Sequence, residues 1–321
     1  MNRQTRLAAD AGLSFEQTVP RTLAHRANLG EVLVADSARL GADEFVVAFQ
    51  VPRAHLLWAD RIPHRHDAFA AAEAARQACF VVIHRHLEIP VGTPFTMHSF
   101  RFEAEEPAAF RDDRRTALEG VFQYRVARST NRGANQGDLS FEGIALIGGE
   151  PAMSFAGEVV FLAAADYQAL RSYQRSRRPV VEAAPAPVPV SATAVGRTDG
   201  RNVVIGESNS AWPQHFPIIV DRSHPSYFDH DYDHLPGPLC VEAFRQASIV
   251  VAGAAGHLPD PAAAFVTAAS AVFTDFAEID SPAACSVVID EVGPDGEIET
   301  TVGLHQFGKS IAEGTLTLLP G

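Results

Sequence analysis

Length, composition and charge already restrict what this chain can be. It has 321 residues, 46% of them hydrophobic and 20% charged, which is typical of a globular protein with one large or two ordinary domains. A formal net charge of -13 argues against nucleic acid as a general partner. No apolar run reaches the roughly 20 residues of a membrane span, and the first residues lack a signal-peptide core. We therefore expect a cytoplasmic protein with no membrane partner.

The first half of the chain predicts strands on both sides of one apolar helix. The helix signal is "HDAFAAAEAARQACFVVIHRH", which is rich in alanine and has no strand-like alternation. Turn signals such as "NRGANQGD" separate the strand-like runs. These runs are "EVLVADSARL" and "EFVVAFQVP" before the helix, then "TPFTMHSFRFEAE", "ALEGVFQYRVARS", "DLSFEGIALIGG" and "SFAGEVVFLAA".

A proline- and alanine-rich linker, "EAAPAPVPVSATAVG", then favours extended backbone from Glu182 to Gly196. The second half repeats the order of the first around the helix signal "HLPGPLCVEAFRQASIVVAGA". Its strand-like runs are "NVVIGES" and "FPIIVD" before the helix, then "AAFVTAASAVFTDFAEI", "CSVVIDEVG", "EIETTVGLHQFG" and "SIAEGTLTLLP".

The two halves share a short sequence repeat. "EAARQA", beginning at Glu73, recurs 169 positions later as "EAFRQA", beginning at Glu242. One helix wrapped by an antiparallel sheet is an α+β layout, and it is the layout of the hotdog fold. We predict a double hotdog that forms a pseudo-dimer, with domains at residues 18–181 and 197–321 and the linker at 182–196.

Each repeat places a polar patch on its apolar helix. At about 100° per residue, Glu242, Arg245 and Gln246 fall on one side of the helix. The equivalent residues in the first repeat are Glu73, Arg76 and Gln77. A single Glu–Arg pair at this spacing is ordinarily a surface ion pair. Its duplication, with histidines upstream in both halves, favours a catalytic wall in which an apolar setting raises the glutamate pKa.

The polar patch of the second repeat follows two histidines, in "FDHDYDHLPGPLCVEAFRQA". The segment resembles the active-site segment of hotdog 3-hydroxyacyl-acyl-carrier-protein dehydratases, in which a histidine precedes Pro-Gly and an acid lies six residues after that proline. Pro236 and Glu242 have this spacing, whereas the position of the histidine fits either His230 or His234. The neighbouring aspartates, Asp229, Asp231 and Asp233, either orient these histidines or form a solvated acidic loop.

In hotdog dimers the histidine of one copy faces the acid of the other. The resemblance therefore implies that His230 or His234 faces Glu73, and that His64 or His66 faces Glu242. Where the second repeat has Pro236-Gly237, the first has Asp67-Ala68, so we expect two unequal sites. A working site of Glu73, Arg245 and His230 and the reverse pairing both remain open.

Over most of residues 18–250 the chain resembles the A-factor biosynthesis family, double-hotdog enzymes of γ-butyrolactone, butenolide and furan signal synthesis. The matching stretches are "TVPRTLAHRANLGEVLVAD", "EAARQA", "VGRTDGRNVVI" and "HPSYFDHDYDHLPGPLCVEAFRQA". The resemblance implies transfer of a β-ketoacyl group from an acyl-carrier-protein thioester to dihydroxyacetone phosphate. The ester then cyclises to a phosphorylated butenolide.

This chemistry needs a base, oxyanion donors and a phosphate-binding group. We predict Glu73 and Glu242 as bases and His230 or His234 as proton relay or oxyanion donor. Arg76 and Arg245, whose planar forks match phosphate oxygens, and Gln77 and Gln246 are predicted to bind substrate. The alternatives are a dehydratase or thioesterase acting on acyl carrier protein, and a non-catalytic acyl-ligand or carrier-protein-binding protein.

No cofactor or metal is predicted. The sequence has no Walker loop, dinucleotide fingerprint or GxSxG elbow. Two His-x-His pairs occur, at His64–His66 and His84–His86, but a helix does not place residues i and i+2 on one face. No carboxylate or thiol has the spacing that would complete a metal site.

Overall fold

The computed structural model describes residues 2–60, 65–128, 137–181 and 185–321. These residues form two compact units. The first unit contains Met1–His55 and Ala68–Arg178, and the second contains Leu56–Asp67 and Pro179–Gly321. The first residues of the predicted linker, 182–184, lie outside the described residues, and the linker bounds stay a prediction. Leu56–Asp67, however, belongs to the second unit although it precedes the central helix of the first.

The first unit is an antiparallel sheet with one long buried helix. Its strands lie in the order β1-β2-β4-β5-β6-β3. The strands are β1 (Val34–Arg39), β2 (Glu44–Val51), β3 (Phe95–Glu103), β4 (Leu118–Arg128), β5 (Gly137–Ile147) and β6 (Glu150–Phe161). The helices are α1 (Arg3–Asp10), α2 (Ala68–Arg85) and α3 (Ala164–Ser176), with 3-10 turns at Leu29–Glu31 and Pro107–Phe110.

The second unit repeats this arrangement with a smaller sheet. Its strands lie in the order β8-β11-β10-β9-β7, again antiparallel. The strands are β7 (His215–Pro217), β8 (Phe265–Phe273), β9 (Ala284–Val292), β10 (Ile298–Gln306) and β11 (Lys309–Leu319). Helix α4 (Gly237–Ala254) is central, and 3-10 turns lie at Ala192–Val195, Gly200–Asn202 and Pro261–Ala263.

The two central helices are buried because they are apolar on nearly all sides. Helix α2 buries all but two of its side chains and packs on β1 and β2. Helix α4 packs on β9, β10 and β11, and Pro238 lies in its first turn, as the sequence predicts. The predicted α+β class, one central helix against an antiparallel sheet in each half, is confirmed. None of the described helices is long and apolar enough to cross a lipid bilayer.

One predicted strand, "NVVIGES" at Asn202–Ser208, is wrong. The segment makes only isolated bridges, Ile205 to Ile218 and Pro189 to Gly206. It begins in a 3-10 turn, and the amide N–H of Val204 donates to the side chain of Gln246 rather than to another strand. Its residues Val203, Val204 and Ile205 are buried, and at Val204 a side chain of α4 accepts the N–H that a strand partner would have accepted.

A tight approach of two strands in the second unit gives a stability prediction. A Cβ added at Gly314 would lie 1.9 Å from the carbonyl oxygen of Ser270 in β8. We expect Gly314→Ala to lower the free energy of unfolding by about 2 kcal/mol or more, because β8 and β11 must separate. Gly200→Ala is the control, since nothing lies within 4 Å of its added Cβ. Urea denaturation of both variants should show a loss for Gly314→Ala only, and equal stabilities would contradict the close packing.

Candidate active site

The predicted polar patch of the second unit is a buried ion cluster around Glu242. Arg245 donates from Nη2 to Oε1 at 2.6 Å and from Nε to Oε2 at 3.0 Å. Arg197 donates from Nη2 to Oε1 at 3.0 Å. The side-chain amide of Gln246 also donates to Oε1, at 2.6 Å. Glu242 is therefore a fully enclosed carboxylate held by two guanidinium groups.

The first unit contains an equivalent cluster around Glu73. Arg76 donates from Nε to Oε2 at 2.8 Å and from Nη2 to Oε1 at 2.9 Å. The amide of Gln77 donates to Oε1 at 2.9 Å, and Arg26 donates to the same oxygen. The patch that repeats in sequence therefore repeats in its hydrogen bonds. Each cluster also contains a second arginine, Arg26 or Arg197, that the helix pattern could not reveal.

The two glutamines tie each central helix to the segment that precedes the sheet. Gln77 donates to the carbonyl oxygen of Glu31 at 2.9 Å, and its own oxygen accepts from the N–H of Leu33 at 2.9 Å. In the second unit Gln246 donates to the carbonyl oxygen of Asn202 at 2.7 Å and accepts from Val204 at 2.9 Å.

Both N–H groups of each glutamine amide are occupied, one by the helix glutamate and one by a backbone carbonyl. The glutamines therefore have no amide donor left for a ligand. This argues against the predicted binding of substrate by Gln77 and Gln246 and gives them a structural role instead.

The predicted rise in the pKa of the two glutamates is wrong. Burial alone raises the pKa of Glu73, but the charges of Arg76 and Arg26 and the hydrogen bonds from Arg76 and Gln77 outweigh it and lower the pKa to about 2. Burial likewise raises the pKa of Glu242, and Arg197 and Arg245 reverse the effect and lower it. The sequence showed the apolar wall and one arginine beside each glutamate, but not the second arginine, whose charge adds to that of the first. Both carboxylates are ionised and are weak bases.

The two histidines of the second unit are each held by the preceding aspartate. His230 Nδ1 lies 2.6 Å from Asp229 Oδ1, and His234 Nδ1 lies 2.5 Å from Asp233 Oδ1. The His230 side chain is 36% exposed, whereas that of Asp229 is fully buried. A carboxylate on Nδ1 keeps the proton on that nitrogen and leaves Nε2 as the basic atom. Of the two alternatives for the aspartates, the structure favours orientation of the histidines for Asp229 and Asp233.

The structure describes one of the two histidines predicted near the first repeat. His64 lies outside the described residues. His66 is half-buried in the second unit, next to Asp67, which accepts a hydrogen bond from Arg245 at 3.4 Å. Within the described part of the chain, no group of three or more histidine, cysteine or acidic side chains is placed to hold a metal ion.

Comparison with known proteins shows the family of this chain. The family model described as the A-factor biosynthesis hotdog domain matches residues 7–138 and 180–320. The chain belongs to this family. It is thus a double hotdog, with one matched segment in each half of the chain.

Relatives from three Streptomyces species carry one name, 2-oxo-3-(phosphooxy)propyl 3-oxoalkanoate synthase. The relative from Streptomyces coelicolor is 30% identical, with 97% of this chain and 95% of the relative covered. The relative from Streptomyces virginiae is 28% identical over 90% and 93% of the two chains. The relative from Streptomyces griseus is 27% identical over 96% and 98%. The similarity therefore extends over nearly the full length of every chain compared.

Solved structures of other activities are more distant. A putative thioesterase from Novosphingobium aromaticivorans has a TM-score of 0.49 at 13% identity, covering 89% of this chain and 98% of the other. A MaoC-like dehydratase has a TM-score of 0.44 at 15% identity, covering 79% and 83%. The fold assignment rests on the family match and on the observed sheets and helices.

A buried tyrosine, Tyr227, lies near the Glu242 cluster. No sequence pattern predicted it as part of the site. Tyr227 is 2% exposed, and its hydroxyl has no hydrogen-bond partner within the described residues. Its ring stacks on His224 at 4.3 Å between centroids, and His224 bonds to Asn202 at 2.9 Å. Burial raises the pKa of Tyr227 well above its ordinary value, and the charge of Glu242 adds to the rise. The phenol is therefore neutral.

The low pKa of Glu73 predicts a pH-dependent contribution to stability. The folded state holds this carboxylate ionised down to about pH 2, whereas the ordinary pKa is 4.5. The contribution is therefore complete above pH 4.5 and is lost as the pH falls towards about 2, by roughly 3 kcal/mol at about 1.4 kcal/mol per pKa unit. Urea unfolding of wild type and Glu73→Gln should show a gap that narrows over this range. A gap independent of pH would contradict the lowered pKa.

Two buried tyrosines offer a matched test of hydrogen bonding. Tyr124 donates to the carbonyl oxygen of Ala75 at 3.0 Å, so Tyr124→Phe should cost about 1–2 kcal/mol. Tyr227→Phe removes a hydroxyl with no partner among the described residues and should leave the unfolding free energy unchanged or raise it. Thermal denaturation of both variants checks the difference. A comparable loss for Tyr227→Phe would show that its hydroxyl is paired.

Proposed function

We propose that this chain is an acyltransferase that joins a β-ketoacyl group to a hydroxyl of dihydroxyacetone phosphate. The name of its relatives describes such an ester, since 2-oxo-3-(phosphooxy)propyl is the dihydroxyacetone phosphate part and 3-oxoalkanoate the acyl part. The observation that carries the proposal is the duplicated Glu–Arg–Gln cluster, buried on both central helices of a chain similar to these synthases over nearly its full length.

We propose that the histidines act as bases in place of the glutamates we predicted. Glu73 and Glu242 are ionised, have lowered pKa values and have their oxygens enclosed by arginine and glutamine. We propose that Glu73 and Glu242 hold Arg76 and Arg245 in position. In His230 and His234 the aspartate partner occupies Nδ1, and neither Nε2 has a hydrogen-bond partner among the described residues. This arrangement suits a base, and both histidines remain candidates.

The transfer step balances without a cofactor. The histidine Nε2 takes the proton of the attacking hydroxyl, whose oxygen adds to the thioester carbonyl carbon. The tetrahedral intermediate then collapses, the C–S bond breaks, and the imidazolium returns the proton to the leaving thiolate. An Asp–His pair stabilises the imidazolium between the two steps, since the aspartate stays ionised. The products are the ester and a free thiol.

The identity of the donor and the later steps belong to the same proposal. We take the donor to be an acyl-carrier-protein thioester, as the family resemblance implies, and the location to be the cytoplasm. The carbon between the two carbonyls of the new ester is acidic and lies within reach of the ketone of the acceptor part. Intramolecular aldol-type attack and loss of water then give a phosphorylated butenolide.

A single incubation tests the proposed reaction. The protein is mixed with a β-ketoacyl thioester mimic, with and without dihydroxyacetone phosphate, and the products are identified by mass spectrometry. We expect a phosphorylated ester or butenolide only when both substrates are present. His230→Ala and His234→Ala, measured in parallel, should identify the base by a loss of rate of about 100-fold or more in one of them.

The rival functions give different products in parallel incubations. A thioesterase would release the free acid, and a dehydratase given the matching 3-hydroxyacyl thioester would release an enoyl product, both without the phosphate substrate. No turnover of any thioester would indicate a non-catalytic acyl-binding protein. Any of these results would replace the acyltransferase proposal.

A further inference from the structure

The hydroxyl of Tyr227 is a buried donor that lacks an acceptor. The residue is 2% exposed, and its oxygen has no hydrogen-bond partner within the described residues. A buried polar group left unpaired costs free energy, and phenylalanine at this position would avoid that cost. Such a hydroxyl is expected where the acceptor is a ligand or a water molecule rather than another part of the protein.

The ring of Tyr227 is positioned by His224. The two rings stack with their centroids 4.3 Å apart. His224 Nδ1 accepts from the backbone N–H groups of Ser226 and Tyr227, at 3.2 and 3.3 Å. Its proton is therefore on Nε2, which donates to Asn202 Oδ1 at 2.9 Å. The side-chain amide of Asn202 donates in turn to Asp60 at 2.7 Å, so a chain of hydrogen bonds holds the imidazole on which the phenol stacks.

The same asparagine connects Tyr227 to the Glu242 cluster. The backbone carbonyl oxygen of Asn202 accepts from Gln246, whose amide also donates to Glu242. Burial raises the pKa of Tyr227 well above its ordinary value, and the charge of Glu242 adds to the rise. The phenol therefore stays protonated at neutral pH and is available as a hydrogen-bond donor.

The cationic donors of this cluster, unlike the phenol, are bonded to protein oxygens. Arg245 donates from Nε and Nη2 to Glu242 and from Nη1 to Asp67. Arg197 donates from Nε and Nη2 to Glu242 and from Nη1 to two backbone carbonyl oxygens. A single neutral donor such as Tyr227 suits a carbonyl oxygen, whereas phosphate is bound best by cationic donors.

We propose that the Tyr227 hydroxyl donates a hydrogen bond to the thioester carbonyl oxygen of the acyl donor and stabilises the oxyanion that forms there. This role rests on the proposed function, since acyl transfer requires an oxyanion donor. The hydrogen bond strengthens as the carbonyl oxygen gains negative charge, and no proton is transferred. His230, a candidate base, lies three residues further along the same segment of the second unit.

Steady-state kinetics of Tyr227→Phe test this role. The variant keeps the ring and lacks only the hydroxyl, so we expect kcat for ester formation to fall about 100-fold, with KM little changed. Its Tm should equal that of wild type or exceed it. An unchanged kcat would mean that the hydroxyl binds water only, and it would overturn the proposal.

Tyr124→Phe is the matched control for this measurement. It also removes a buried phenol hydroxyl, but one that donates to the carbonyl oxygen of Ala75. We expect the opposite pattern, a lower Tm with kcat near that of wild type. An equal loss of kcat in both variants would show a general effect of removing a buried hydroxyl and would also overturn the proposal.

A binding experiment separates this inference from the proposed function. The ligand is a β-ketoacyl thioester analogue in which a methylene group replaces sulfur and the adjacent carbonyl carbon is isotope-labelled, and no acceptor is present. Infrared spectroscopy should show a lower carbonyl stretching frequency for the analogue bound to wild type than to Tyr227→Phe, because a hydrogen bond weakens the C=O bond. That difference, or binding lost only in the folded variant, supports the contact even if no ester is ever formed. Equal frequencies, or no binding by wild type, overturn it.

Discussion

The structure depends on one buried carboxylate on each apolar central helix. An unpaired buried carboxylate is unstable, so Glu73 and Glu242 each require cationic partners. One arginine comes from the next turn of the same helix, and the other comes from the segment before the sheet, as Arg26 or Arg197. Breaking either cluster would leave a charge buried without its counter-ion. The ion pairs therefore fix the position of the segment that precedes the sheet, and they keep the glutamate ionised.

Both units contain this buried carboxylate, but the residues around it differ. In both units a glutamine on the helix binds a 3-10 turn that is followed by a short run of buried apolar residues. In the second unit Asp67 joins the cluster, and Asp229 and Asp233 hold histidines just before the helix. The same six-residue repeat is thus bonded to different side chains in the two units. This difference is a physical basis for unequal roles of the two halves.

Some features of the site could be predicted from the sequence, and others could not. The repeat at Glu73 and Glu242 predicted two central helices with the same polar patch, because residues at i, i+3 and i+4 share one side of a helix. It could not predict Arg26 or Arg197, which lie more than forty residues from their glutamates. The pKa prediction failed because the helix arginine and this second arginine together outweigh the effect of burial. The strand predicted at Asn202–Ser208 failed similarly, since a side chain of α4 took the hydrogen bond that a strand would have provided.

The sequence by itself determined the α+β class, the family and the residue types of the site, because periodicity, repetition and local spacing are written along the chain. Only the tertiary structure decided the ionisation of the glutamates, the use of the glutamines and the membership of Leu56–Asp67 in the second unit. These properties depend on charges and donors that are distant in sequence and meet only in the folded chain. Electrostatic energy depends on distance in space, so Asp67 and Arg245 acquire their roles from folding alone.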